Sequence, residues 1–172
     1  MSIKRYYADK DNTITNAFKA SLSSRGVSGN MGQSDILETF SIYAQANTSS
    51  SELSRILIQF GTSDIGTDRT NGVIPASGSV SFILRLYNAQ QTQTTPKNFV
   101  LVASAVSQSW QEGNGLDMED YSDEDESNWL YASDTDTPAS ASVTVRNNSA
   151  ANIIRLTGSS ANYLFTSVDN ST

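Results

Sequence analysis

Apolar residues recur at every second position in several short runs of this chain, and that period of two constrains the fold more than any other feature. In Ser79–Ala89, Val80, Phe82, Leu84 and Leu86 fall on one side while Ser81, Arg85 and Tyr87 fall on the other. This is the pattern of a strand with one face in a core and one toward water or a partner. Ile83 is the apolar exception on the outer side. In Ser54–Phe60, Ile56, Ile58 and Phe60 alternate with Leu57 and Gln59, and the β-branched content suits a central strand. Asp35–Ala46 reads as an earlier strand and Phe99–Trp110 as a long one. Residues 141–146, 152–157 and 163–168 read as three short strands.

The connections are polar. Gly61–Gly78 predicts a loop with one short helical turn after Thr62-Ser63-Asp64. In residues 1–32 only Ile14, Ala17, Phe18 and Leu22 are spaced roughly as a helical face, before the glycines of 26–32 break it; Gly26–Gly32 suits a surface turn. A chain of 172 residues holds one domain with a real core. Seven or so short strands with little helix predict an all-β fold: a single antiparallel β-sandwich of jelly-roll-like topology, with long loops. Residues 1–32 are the flexible N-terminal arm and 33–172 the sandwich.

Chemistry is bounded by what the chain lacks. There is no Cys and no His, which removes disulfides, thiolate zinc, thiol nucleophiles and the usual general base. The serines and threonines have no base, and Lys10, Lys19 and Lys97 lie in polar contexts that would not depress an amine pKa. A non-enzymatic protein is expected. The net charge of −7 argues against a nucleic-acid surface. No apolar run of membrane-spanning length and no signal-peptide start are visible, so membrane partners are not expected either. The Lys4-Arg5-Tyr6-Tyr7 cluster predicts an arm packed on the domain or on a neighbouring chain.

Both tryptophans flank one acidic stretch. Trp110-Gln111-Glu112-Gly113 ends a strand, and Gly113 and Gly115 permit a sharp turn behind it. The Trp110 ring either caps the core or offers a stacking platform for a sugar. From Asp117 to Glu126 carboxylates crowd together, a pattern of a solvated or partner-facing loop. Calcium on Asp117, Asp120 and Asp123 is the alternative, although the spacing is not that of an EF-hand; a glycosidase carboxylate pair is a third reading.

Several stretches, in order, resemble the DNRLRE-type β-sandwich, a domain of secreted and surface proteins related to a class of carbohydrate-binding modules. Ser54–Phe60 resembles its Arg-x-Leu-x-x-Phe strand and Val80–Leu86 its following Leu-x-Leu strand. Trp110, Glu112 and Gly113 match its Trp-x-Glu-Gly signature, and Trp129 stands where its second Trp is expected. The Ser/Thr-rich, Cys- and His-free character is also similar to structural proteins of marine tailed bacteriophages. The resemblance implies a virion component, assembled in the host cytoplasm, that acts in capsid decoration, neck, tail or fibre through other virion proteins and copies of itself. A carbohydrate-binding or host-adhesion module is the alternative. Tyr6, Tyr7, Ile83, Arg85 and Tyr87 are the expected subunit contacts. The chain reaches Thr172 without the closing strands of the resembled domain, so an edge completed by a neighbouring subunit is expected.

Overall fold

The computed structural model describes residues 3–75, 80–87, 89, 98–103, 106, 109–118, 127–133, 154–159 and 163–168. Three strands, β1 (Ala8–Thr15), β2 (Ser41–Tyr43) and β3 (Ser51–Phe60), form an antiparallel sheet in the order β1–β3–β2. A nine-residue helix, α1 (Thr62–Thr70), follows with no buried residue. Asp64 in its first turn and Arg69 in its last oppose the helix dipole favourably. Then come β4 (Phe82–Tyr87), β5 (Asn98–Ala103), β6 (Ile154–Ser159) and β7 (Tyr163–Val168), which pair antiparallel as β4–β7 and β5–β6.

The chain divides into two compact units. One holds Arg5–Gly61 and Ser107–Thr144; the other holds Met1–Lys4, Thr62–Val106 and Val145–Thr172. In the second unit Lys4 Nζ lies 3.1 Å from Asp68 of α1, and the Arg69 guanidinium stands over the Phe82 ring. No helix among the described residues is long and apolar enough to cross a membrane.

The protein is mostly strand, as expected, with a three-stranded antiparallel sheet and one short helix; no sandwich is shown among the described residues. β3 is central, as its alternation predicts. Its register with β1 pairs Asn12 with Leu57 and Ile14 with Arg55, so these four share a face. Chain without regular structure covers that face. Trp110 and Ala132 complete a core cluster with Ile14 and Leu57, and Trp129 packs against it. The Arg55 guanidinium lies 4.2 Å from the Trp129 ring centre, an arrangement worth about 0.5–2 kcal/mol depending on desolvation.

Four expectations are corrected. Residues 1–32 are not an irregular, flexible arm, because β1 lies inside them and Asn12, Thr13, Ile14 and Thr15 are all buried. The strand is invisible to hydrophobic periodicity because most of its buried side chains are polar. Gly26–Gly32 is not a surface turn: Gly26, Gly29, Asn30 and Met31 are buried. The strand expected at Asp35–Ala46 shrinks to Ser41–Tyr43, ended by Ala44 with φ of 58°. The strand expected to reach Trp110 is described over Asn98–Ala103, and Trp110 itself lies in the core from outside any strand. The run at 141–146 lies outside the described residues.

Candidate functional site

The Trp110 corner is built around two asparagines. Asn30 is buried and uses all four of its side-chain hydrogen-bonding positions. Its Nδ2 donates to Glu112 O at 2.9 Å and to Ser127 O at 2.8 Å. Its Oδ1 accepts the N–H groups of Gly32 at 2.9 Å and Gly115 at 2.8 Å. Asn12, on β1, donates from Nδ2 to Ser127 O and Oγ and accepts the Met31 N–H at 2.9 Å. Three remote segments, 12, 30–32 and 112–127, are thereby joined by neutral groups.

Backbone bonds complete the corner. Asp117 N–H donates to Asn30 O, Gln33 N–H to Gly115 O, Gln111 N–H to Ala132 O and Ser127 N–H to Gln111 O. Gly113 has φ of +84°, the left-handed region that favours glycine. At Gly115 the Asn30 backbone approaches so closely that a Cβ would collide with its carbonyl. Trp110 is buried at 7% exposure, and its ring belongs to the core cluster with Ile14 and Leu57. Trp129 is half-buried under Arg55.

Glu112 reaches the free side of β1, where its Oε1 accepts the Asp11 N–H at 2.8 Å. Its charge, second to burial, raises the Asp11 carboxyl above its ordinary range. Burial lowers the Arg55 guanidinium below its ordinary value. A different carboxylate, Glu52 on β3, is fully buried and accepts the Phe18 N–H at 2.8 Å. With the Gln45 amide nitrogen turned toward it, Gln45 donates to both Glu52 oxygens at 2.9 and 3.0 Å. Arg25 Nη1 donates to Asn16 O and Ser51 O nearby. Sequence reasoning missed Asn12, Asn30 and Glu52 altogether.

The remaining expected residues are dispersed. On β4 the alternation is as predicted: Phe82, Leu84 and Leu86 are half-buried while Ile83, Arg85 and Tyr87 are exposed. Ile83 is 62% and Tyr87 66% exposed, and the Arg85 guanidinium stands over the Tyr87 ring. Tyr6 is half-buried and Tyr7 exposed. Asp117 is exposed and bridges Asn30 through the backbone; Asp120 and Asp123 lie outside the described residues. Among the described residues no three Asp or Glu side chains gather as a metal site. A hollow of about 400 Å³ lies among Phe18, Met31, Leu116 and Met118, with exposed Glu38 and Asp117 at its lining. No family model, curated protein or solved structure matches this chain.

Proposed function

We propose that this protein is a structural component of a tailed phage particle, a capsid-decoration, neck, tail or fibre subunit that acts through contacts with other virion proteins and with its own copies. No chemical step is assigned to it. The observation that carries the reading is the outer face of β4, where Ile83 and Tyr87 expose large apolar surface beside Arg85. Exposed aromatic and aliphatic groups next to an Arg are the composition of a contact surface rather than of a solvated one. The strand-rich make-up and the Trp110–Gly113 corner also support the DNRLRE-type resemblance and, as its finer fold, a sandwich of jelly-roll-like topology.

The test is fractionation of particles together with sedimentation of the purified chain. Ile83→Lys and Tyr87→Lys should leave the unfolding free energy within about 0.5 kcal/mol of wild type and reduce incorporation into particles at least tenfold. A chain that stays monomeric, never enters a particle and binds a glycan array would replace this reading with an adhesion module.

A further inference from the structure

Among the described residues the outer edge of β2 has no strand beside it. Ser54 N–H donates to Phe40 O at 3.2 Å and Ala44 N–H donates to Ser50 O at 2.8 Å, and the register pairs Ile42 with Glu52. Because hydrogen-bonded pairs alternate along an antiparallel ladder, residues 40, 42 and 44 turn their N–H and C=O groups toward β3. Ser41 and Tyr43 therefore turn theirs away from it, and no described residue pairs with them. Ser41, Ile42 and Tyr43 are all exposed, Tyr43 at 72%, and Ile36 close by in sequence is 48% exposed.

Natural sheet edges are guarded by charges, proline or bulges. From Thr39 to Ser51 this hairpin has no charged residue and no proline. We infer that the β2 edge pairs with the β2 edge of a second copy of this chain, antiparallel about a twofold axis through Ile42. In that register Ser41 lies opposite the partner copy's Tyr43 residue, so two pairs each exchange both hydrogen bonds, four in all. The two copies of Ile42 meet as a non-hydrogen-bonded pair, the closer type, and the copies of Glu38 never face each other. Ala44 turns the chain away and confines the pairing to three residues, so the contact is a weak, reversible one that closes as a dimer.

The inference deepens the contact reading above and rests on it. Since the chain has no cysteine, Ile42→Cys introduces a single thiol, and the Cα separation of a non-hydrogen-bonded pair falls at the near end of the disulfide range. With oxidised glutathione as oxidant, Ile42→Cys should form a covalent dimer at least tenfold faster than Ser21→Cys, which places a thiol on an exposed turn. Ile42→Lys should weaken self-association at least tenfold in sedimentation equilibrium without lowering the melting temperature. Equal cross-linking rates for the two thiols overturn the edge pairing. If the chain self-associates and enters particles while the Ile42 variants behave as wild type, the pairing fails and the contact reading survives; a chain that does neither sinks both.

Discussion

Replacing Asn30 tests the account of the corner most directly. Asn30→Ala deletes four hydrogen bonds, but Ser127 O keeps its bond from Asn12. Three groups are left without their partner: the buried Gly115 N–H and the partly buried Glu112 O and Gly32 N–H. An unsatisfied buried group costs about 1–3 kcal/mol; water entering the vacated space would offset part of it, so the expected loss is about 3–5 kcal/mol. That is a large share of the ~5–15 kcal/mol of a typical domain. With an m-value of about 1–3 kcal/mol per molar urea, the midpoint should fall by about 2 M. Trp110 and Trp129 both lie at this core, so tryptophan fluorescence reads its unfolding. Asn30→Asp keeps the shape and both accepted bonds yet loses both donated ones, and sets an anion against the Glu112 and Ser127 carbonyls; it should be comparably severe. Asn47→Ala, on an exposed turn where the side chain accepts from Ser49, should cost under about 1 kcal/mol. A midpoint shift below about 0.5 M for Asn30→Ala would refute the claim that this side chain organises the corner.

Other substitutions separate the remaining contributions. Gly115→Ala drives a Cβ into the Asn30 backbone and should lower stability by at least about 2 kcal/mol in urea denaturation, whereas Gly66→Ala, with open space around it in α1, should raise it by about 0.4–1 kcal/mol. Asp11 has a raised carboxyl pKa in the folded chain, so the folded state holds that proton more tightly than the unfolded state. Stability from this group is therefore greatest at low pH and is lost as pH rises from the ordinary carboxylate value through the raised one. Asp11→Asn should be more stable than wild type near neutrality, by no more than about 0.5 kcal/mol because solvent screens the site, and the gap in melting temperature should vanish below the carboxylate range. Glu52→Ala should release the Phe18 N–H and Gln45 from a buried site and lower the melting temperature, while Glu52→Gln should retain one acceptor and lose less.

What could be read from the sequence was what hydrophobic periodicity encodes. β3 and β4 fall where alternation put them, β7 falls on the short strand candidate set between turns, and the outer face of β4 is the one assigned from Ile83, Arg85 and Tyr87. The helix after Thr62 was visible as a single turn because its polar sequence has no apolar stripe to extend it. β1 was not legible, since Asn12, Thr13 and Thr15 are buried by hydrogen bonding rather than by hydrophobicity. The same holds for Asn30, whose one signal was its place between Gly29 and Gly32, small residues that let two backbones meet. The Trp110 corner was assigned to architecture on chemical grounds; the partners that build it were hidden because their contacts span 82 to 115 residues of chain.

This division of labour bears on function. A corner held by Asn12 and Asn30 is specified by directional bonds, each of which is lost if the chain packs in another register. Apolar contacts alone would tolerate such slips. A unit whose geometry is set by buried polar groups can therefore leave Ile42, Tyr43 and Ile36 outside without those side chains competing for its core. On that reasoning, loosening the corner should change association before it abolishes folding. Asn12→Ser, which shortens the side chain toward Ser127, is expected to broaden the thermal transition and to slow Ile42→Cys cross-linking severalfold when combined with it. Unchanged cross-linking in a measurably destabilised Asn12→Ser background would separate the β2 edge from the corner and assign its geometry to the β2–β3 hairpin alone.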